Sequence, residues 1–249
     1  MNRTLPTVAR DWALFLDVDG TIVDYAPRPD AVIVPPSFVR TLGALSGALD
    51  GALAIVSGRS IADLDGLFAP LVLPAAGQHG AEARLGERKY GAGSHSPALE
   101  SILRSAYAFD GRSSLLIENK GLSAAIHYGE ASSMADALGE ILRAAVARSG
   151  GTYRLLSSRR AFDIVPSGVH KGQAVDWFMT AAPFAGRVPV FIGDDRTDED
   201  GFAAVAARGG HAIKVGPSAG GSVAPWCVRD PRALREWLDG SLALLEPSP

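Results

Sequence analysis

Two aspartates, Asp17 and Asp19, stand two positions apart in the motif D-V-D-G-T at 17–21, directly after the apolar run 12–16. The run is typical of a buried strand, and Gly20 permits a sharp turn after the pair. Carboxylates that leave the carboxyl end of a strand can converge above the sheet, where open α/β sheets bind their ligands. Such a pair can hold a hard divalent cation, or one carboxylate can attack while the other moves a proton. For an isolated motif, a strand-ending turn without chemistry is the commoner explanation.

Groups that suit a phosphate follow at two places downstream. The apolar run 52–56 leads into the motif S-G-R, where the Ser57 hydroxyl and nearby backbone N–H groups suit a phosphate oxygen, and Ser60 can cap a following helix. Lys171 begins a helical pattern, and a cation there opposes the helix dipole unless an anion lies nearby. Taken alone, S-G-R is better explained by a plain turn, and a solvated surface lysine explains Lys171 about equally well.

An acidic segment follows the strand-like run 188–192. Asp194 and Asp195 begin it, and five of the seven residues at 194–200 are acidic. These carboxylates repel one another unless a cation or a helix N-terminus compensates. A solvated acidic helix cap is the simple alternative, but the hydrophobic strand before the segment favours carboxylates at the ligand-binding edge of a sheet.

Strands and helices alternate along most of the chain, which predicts βαβ units and a mainly parallel sheet. The fold class is therefore α/β, with a Rossmann-like core. Strand candidates are 12–16, 52–56, 71–75, 188–193 and 211–215, and helix candidates are 36–49, 60–68, 97–108, 171–181, 198–208 and 231–244.

The middle of the chain breaks this alternation. Two strand-like runs around Asn119-Lys120-Gly121, a helical segment and a second strand pair give the order ββαββ, which is antiparallel in character. We therefore predict a smaller α+β cap domain at 105–167, inserted between core parts at 1–104 and 168–249.

The four motifs resemble, in this order, those of the haloacid dehalogenase superfamily of phosphohydrolases: D-V-D-G-T at 17–21, S-G at 57–58, Lys171, and G-D-D at 193–195. The resemblance implies a hydrolase core with the inserted cap over its active site.

Within that superfamily, three further segments are similar to the trehalose-6-phosphate phosphatase family: G-Q-H-G at 77–80, E-N-K-G at 118–121 and G-D-D-R-T-D-E-D at 193–200. Two positions depart from the family pattern. Asp163 stands where Glu is common, and His170 stands before the lysine where a smaller residue is common.

The resemblance implies phosphoryl transfer through a covalent aspartyl-phosphate, with Asp17, Asp19, Ser57 and Lys171 as catalytic residues. Asp17 is expected to attack phosphorus, while Asp19 protonates the leaving oxygen and later activates water. Ser57 and Lys171 are expected to bind the phosphate oxygens and stabilise transition-state charge.

The resemblance also implies Mg²⁺ as the cofactor. Its expected ligands are Asp17, the backbone carbonyl of Asp19 and Asp194, while Asp195 orients one of the ion's water ligands from further out. A divalent charge would offset the repulsion between the attacking carboxylate and the phosphate.

Four residues are expected to bind the sugar phosphate: Arg59, His79, Glu118 and Lys120. The family's G-x-H-G segment faces the substrate, and Glu118 and Lys120 flank a hairpin tip, where an exposed turn with a weak ion pair is the alternative. Arg59 can pair with a carboxylate of the core or cap, or contact the substrate. His127 and Tyr128 are expected to be packing residues.

Composition limits the classes of partner. The chain has 249 residues, 47% of them hydrophobic and 20% charged, and its net charge is −3 without a basic block. We therefore expect a small-molecule sugar phosphate as the partner, with neither nucleic acid nor a membrane. The single cysteine excludes an internal disulfide, and the apolar run after Arg10 is shorter than a signal-peptide core, which predicts a cytoplasmic protein. The oligomeric state stays open, and a monomer is compatible with the sequence.

The expected reaction is hydrolysis of trehalose 6-phosphate to trehalose and phosphate. Sucrose-phosphate and mannosylphosphoglycerate phosphatases of the same cap type are the nearest alternatives. A phosphomutase and a non-catalytic sugar-phosphate sensor are more distant ones. Retention of both Asp17 and Asp19 disfavours the sensor.

Overall fold

The computed structural model describes residues 4–26, 28–91, 96–129, 132–158, 160–217 and 221–245. These residues form two compact units. The first lies within 1–88 and 170–249, and the second lies within 89–169. The strands are β1 (Trp12–Leu16), β2 (Leu53–Val56), β3 (Ala75–Gly77), β4 (Glu82–Leu85), β5 (Arg88–Tyr90), β6 (Leu116–Asn119), β7 (Ala124–His127), β8 (Tyr153–Ser157), β9 (Ala161–Pro166), β10 (Val188–Gly193), β11 (His211–Val215) and β12 (Trp226–Val228). The helices are α1 (Pro36–Ala48), α2 (Ile61–Phe68), α3 (Pro97–Tyr107), α4 (Ser132–Ala147), α5 (Lys171–Phe178), α6 (Glu199–Ala207) and α7 (Pro231–Leu245).

A mainly parallel sheet forms the centre of the first unit. Over the described residues its strand order is β12-β11-β10-β1-β2-β3-β4-β5, and the strands from β12 to β3 run parallel to their neighbours. Every residue of β1 and β2 is buried, as the continuous apolar runs of a parallel sheet require. The α/β class predicted from the alternating pattern is confirmed.

The strand order changes direction at β1. The chain moves outward from β1 through β2 to β3, and it later returns to the opposite side of β1 with β10. Parallel sheets bind ligands at the carboxyl ends of strands where the order reverses in this way. The residues that follow β1 and β10 therefore meet at the edge where a ligand is expected.

Aromatic packing fixes the helices that approach this edge. Phe15 of β1 packs on Phe178 of α5 and on Phe184 at centroid distances of 5.8 and 5.4 Å, and Phe191 of β10 packs on Phe202 of α6 at 5.8 Å. All five rings are fully buried. Because these rings anchor α5 and α6 against β1 and β10, they also fix where the two helices begin.

No helix in the described part of the chain is long and apolar enough to cross a bilayer.

The strand predicted at 71–75 was placed too early. The third strand starts at Ala75, where Ala75 and Ala76 pair with Ile55 and Val56 of β2. Val72 is 65% exposed, so the apolar run before β3 leads into the strand without joining the sheet. The short strands β4 and β5 were not among the predicted candidates.

The second unit is built on an antiparallel sheet with the order β6-β7-β9-β8. Together with α4 these strands give the ββαββ order that the sequence predicts. Helix α3 packs on α4, and its side chains join the same hydrophobic cluster as those of β7 and β9. The predicted cap boundaries at 105 and 167 remain a prediction. The members of this cluster are Leu99, Ile102, Leu103, Ala106, Leu115, Ala124, Ile126, Leu138, Leu142, Ala145, Tyr153, Phe162 and Ile164.

Candidate functional site

A buried ion-pair cluster lies at the carboxyl ends of β1 and β10. Asp17 follows β1, and its backbone N–H donates to the carbonyl of Ile192 in β10 at 3.0 Å. The ammonium group of Lys171, at the start of α5, donates to Asp17 Oδ1 at 2.8 Å and to Asp198 Oδ1 at 2.6 Å. All three side chains are buried. Burial alone would lower the pKa of Lys171, but the two adjoining carboxylates raise it, so the lysine stays charged.

Asp198 organises the acidic segment, and it was not among the site residues predicted from the sequence. Its Oδ2 accepts hydrogen bonds from the backbone N–H groups of Asp194 and Asp195, each at 2.9 Å. This approach leaves no room for a side chain at Gly193, since a Cβ there would lie 2.3 Å from the Asp198 carboxyl carbon. The reciprocal capping pattern Asp195-x-x-Asp198 before a helix was the signal that could have identified it.

Asp194 is held by hydroxyl groups on both of its carboxylate oxygens. Thr21 donates to Oδ1 at 3.1 Å, and Tyr25 donates to Oδ2 at 2.9 Å. Gly20 makes this possible because its φ is +82° and a Cβ there would lie 2.4 Å from Asp194 Oδ2. Burial, followed by the charge of Asp198, raises the pKa of Asp194 to about 7, although the Tyr25 hydrogen bond opposes the shift.

Carboxylate oxygens of Asp17, Asp194 and Asp198 lie within 4.8 Å of one another. With Lys171 between two of them, three negative charges and one positive charge leave a local excess of −2 when all four groups are ionised. Burial, followed by the charge of Asp198, raises the pKa of Asp17, while Lys171 lowers it. Oxygen ligands with this excess charge fit a hard divalent cation such as Mg²⁺.

Asp17 and Asp194 are better placed than Asp198 to act as ligands of such a cation. Asp198 already accepts three hydrogen bonds, one from the Lys171 ammonium and two from backbone N–H groups. Asp17 accepts from Lys171 on one oxygen, and its other oxygen lies 3.2 Å from the Thr21 hydroxyl, whose single hydrogen it shares with Asp194. The carboxylate of Asp195 accepts from the N–H of Arg196 and thereby caps the turn before α6.

Asp19 is paired with Arg59. The guanidinium Nε and Nη2 atoms each lie 2.7 Å from one oxygen of the Asp19 carboxylate. Of the alternatives that the sequence leaves for Arg59, the structure shows a contact with a carboxylate of the first unit. That Arg59 contacts the substrate remains a prediction.

Ser57 and His79 approach the site from the neighbouring strands. Ser57 follows β2, is buried, and accepts a hydrogen bond on Oγ from the N–H of Arg59 at 3.2 Å. His79 lies after β3 with a φ of +61°, and a Cβ at Gly58 would lie 2.7 Å from its Nε2 atom. The S-G-R and G-Q-H-G segments are therefore in direct contact.

Two helix N-termini near these motifs are capped by the chain itself. Ser60 caps α2, as its sequence position indicates, and Glu82 accepts from the N–H of Ile61 at 2.9 Å. His170 caps α5, since its Nδ1 atom accepts from the N–H of Gln173 at 3.1 Å. The departure from the family pattern at His170 thus supports the helix that carries Lys171.

Glu118 and Lys120 lie in the second unit, at the tip of the β6–β7 hairpin. Glu118 Oε2 is 2.8 Å from His127 Nε2 and 3.7 Å from the Lys120 ammonium. The interpretation of Tyr128 as a packing residue fits its contact with Phe162 at a centroid distance of 5.4 Å. His127, in contrast, makes a polar contact with one of the predicted substrate-binding residues.

Comparison with known proteins identifies the relatives of this chain. The trehalose-phosphatase family model matches residues 15–225. A probable trehalose-phosphate phosphatase of Sinorhizobium fredii is 39% identical over 242 residues, which cover 97% of this chain and 91% of that protein. The trehalose-6-phosphate phosphatase of Escherichia coli is 36% identical over 240 residues, or 94% of this chain and 88% of that protein.

A solved structure agrees with these relatives at the level of the fold. The C-terminal domain of a Candida albicans trehalose-6-phosphate phosphatase superposes with a TM-score of 0.82 at 19% identity, covering 94% of this chain and 93% of that one. The family resemblance inferred from the motifs is confirmed.

The pKa of Asp194 predicts a pH-dependent stability in the metal-free protein. Because the folded-state pKa of about 7 lies above the unfolded value near 3.9, this contribution is complete below about pH 4 and is lost as the pH rises to 7. The free energy of unfolding of the wild type, minus that of Asp194→Asn, should therefore fall by about 2 kcal/mol between pH 5 and 7. Denaturant unfolding in chelator measures this difference.

Asp30→Asn is the matched control, since Asp30 is exposed and its hydrogen bond to Arg28 lowers its pKa. It should show no such slope over this pH range. Mg²⁺ should restore the stability of the wild type above pH 6. A flat difference between the wild type and Asp194→Asn from pH 5 to 7 would contradict the prediction.

Proposed function

Because the chain belongs to the trehalose-phosphatase family, we propose that it hydrolyses trehalose 6-phosphate to trehalose and phosphate. The observation that carries the proposal is the buried cluster of Asp17, Lys171, Asp198 and Asp194 at the ends of β1 and β10. It combines a carboxylate fixed for attack, a cation for the phosphate, and oxygen ligands for Mg²⁺.

Asp17 is the nucleophile. Lys171 donates to one of its oxygens and the Thr21 hydroxyl lies beside the other, so the orientation of the carboxylate is set before substrate arrives. A bond forms between a carboxylate oxygen of Asp17 and phosphorus, and the bond from phosphorus to the sugar oxygen breaks. Asp19 gives a proton to that leaving oxygen.

Hydrolysis of the aspartyl-phosphate completes the reaction. Water attacks phosphorus, the bond between phosphorus and the Asp17 oxygen breaks, and Asp19 takes the proton of the water. Phosphate leaves, and both aspartates return to their starting forms. Splitting the reaction in this way suits phosphate monoesters, which hydrolyse extremely slowly without a catalyst.

Ser57 and Lys171 bind the phosphate oxygens and stabilise their negative charge. Asp17, the backbone carbonyl of Asp19 and Asp194 would hold Mg²⁺, with Asp195 further out. When bound, the ion offsets the repulsion between Asp17 and the phosphate dianion.

The second unit is proposed to act as a cap that selects the sugar. Glu118, Lys120 and His127 lie together on the β6–β7 hairpin and offer hydrogen-bond donors and acceptors, as several sugar hydroxyls require. His79 would bind the sugar from the first unit. The predicted cap range of 105–167 is part of this proposal.

Other sugar phosphates remain as competing substrates, in particular sucrose phosphate and mannosylphosphoglycerate. A phosphomutase would isomerise a sugar phosphate without net release of phosphate, and a sensor would bind without turnover. Measuring phosphate release from each of several sugar phosphates distinguishes all of these alternatives from the proposed activity.

We expect phosphate release from trehalose 6-phosphate to exceed that from sucrose phosphate, mannosylphosphoglycerate and glucose 6-phosphate. Activity should disappear in EDTA and return with Mg²⁺, because the carboxylate and carbonyl ligands suit a hard cation. A colorimetric phosphate assay over this panel measures both. Full activity in the chelator, or preference for another ester, would refute the corresponding part of the proposal.

The two leading aspartates should respond differently to amide substitution. Asp17→Asn should abolish turnover and the binding of beryllium fluoride, since an amide is a poor nucleophile and a poor metal ligand. Asp19→Asn should still bind beryllium fluoride but turn over slowly, because it keeps the acceptor and loses only the proton transfer. Fluorine NMR of each variant with Mg²⁺ detects the adduct. An adduct that persists in Asp17→Asn would assign the nucleophile elsewhere.

Loss of a cap contact should depend on the substrate. Glu118→Ala and Lys120→Ala should each lower kcat/KM for trehalose 6-phosphate by roughly tenfold to a hundredfold, since a hydrogen bond to a charged group is worth ~1.5–3 kcal/mol. Activity on p-nitrophenyl phosphate, which has no sugar, should change little. Lys171→Ala is the contrasting variant and should damage both activities. Equal losses on both esters for Glu118→Ala would indicate a structural role.

A further inference from the structure

The acid–base carboxylate is held by an arginine from a different strand. Arg59 follows β2, whereas Asp19 follows β1, and the guanidinium contacts both carboxylate oxygens at 2.7 Å. A bidentate pair of this kind fixes the plane of the carboxylate as well as its position. Its geometry therefore bears on the orientation of Asp19 during the reaction.

Arg59 is itself anchored at three places. Its Nη2 atom also donates to the carbonyl of Pro29 at 3.1 Å, and its backbone N–H donates to Ser57 Oγ at 3.2 Å. An arginine carries five N–H donors, and Asp19 and Pro29 together engage three of them. The side chain is 13% exposed. These contacts give Arg59 one defined position between the phosphate motif S-G-R and the D-V-D-G-T turn.

We propose that Arg59 is a positioning residue for Asp19, through which it acts on catalysis, and that its main role is not contact with the sugar. The inference rests on the proposed function, because it requires Asp19 to move protons in the reaction. Arg59 holds the Asp19 carboxyl group in one orientation between turnovers. From this starting orientation Asp19 in its protonated form gives a proton to the leaving oxygen, and it later takes the proton of the attacking water.

This arrangement also couples two motifs of the site. Ser57, proposed to bind the phosphate, bonds to the backbone of Arg59, while the side chain of Arg59 bonds to Asp19. A shift of the S-G-R segment would therefore move the acid–base group. Misplacing such a group by about 1 Å can cost on the order of a hundredfold in rate.

The chain contains a matched pair that serves as a control. Arg84 of β4 binds both oxygens of Asp65 of α2 at 2.6 Å, and its Nη2 atom also donates to the carbonyl of Leu73 at 3.1 Å. The two arginines thus make the same kind of contacts, with one carboxylate and one backbone carbonyl each. Only Arg59 holds a residue of the proposed machinery.

The experiment compares Arg59→Lys with Arg84→Lys in the full chain with Mg²⁺, after thermal melting shows that both are folded. Lysine keeps the charge but cannot bind two oxygens in the bidentate fork. We expect Arg59→Lys to lower kcat for trehalose 6-phosphate roughly tenfold to a hundredfold. Arg84→Lys should lose stability without losing kcat, because its pair lies outside the machinery.

Two further readouts separate positioning from substrate contact. Calorimetric binding of trehalose 6-sulfate, in which sulfur replaces phosphorus, should be the same in the wild type and in Arg59→Lys. In an Asp19→Asn background, Arg59→Lys should cause no further loss of rate, since the carboxylate it serves is already gone. If Asp19→Asn is too slow for its rate to be measured, the comparison of kcat with the affinity for trehalose 6-sulfate is sufficient by itself.

Three results would overturn the inference. An unchanged kcat in Arg59→Lys is the first. The second is a loss of affinity for trehalose 6-sulfate that accounts for the loss in kcat/KM, and the third is an undiminished loss in the Asp19→Asn background. The second and third would make Arg59 a substrate contact. If Arg59→Lys does not fold, Arg59→Gln takes its place in both measurements. Full activity in Asp19→Asn alone would instead refute the proton-transfer step of the proposed function.

Discussion

One buried ammonium group holds the site of the first unit together. Lys171 lies between the carboxylates of Asp17 and Asp198, and all three side chains are removed from water. Taking these charges out of water is costly, and each is tolerated only because the others are present. Since Asp198 also holds the backbone N–H groups of Asp194 and Asp195, the lysine indirectly fixes the loop that carries the candidate metal ligand. The proposed nucleophile, the proposed phosphate-binding cation and the candidate metal site therefore form one electrostatic unit.

Residues at strand ends were the predictable part of this site. Asp17, Ser57 and Asp194 each follow a long apolar run, and parallel strands in one sheet deliver such residues to a common edge whatever the details of packing. The local sequence pattern was sufficient to predict these strands, because a strand that is buried on both faces is an unbroken run of apolar residues. The strand predicted at 71–75 shows the limit of this reasoning, since a short apolar run can precede a strand as easily as form one.

Residues whose roles depend on turn geometry were not predictable in this way. Asp198 and Tyr25 reach Asp194 only because Gly193 and Gly20 let the backbone approach closely. The choice of Asp19 as the partner of Arg59 depends likewise on the conformation of two loops. Hydrophobic periodicity carries no information about such contacts, because they are decided by a few backbone angles and by distances between side chains far apart in sequence.

The central position of β1 has a consequence for synthesis of the chain. Its partner on one side, β10, begins at Val188, which pairs with Trp12, 176 positions earlier. While the ribosome is still making the intervening residues, β1 can pair with β2 but has one open edge of unpaired backbone groups, and such edges invite aggregation. The nascent chain thus carries an exposed hydrophobic strand through most of its translation, and Asp17 at the end of that strand gains its buried partner Lys171 only when the last third of the protein is being made.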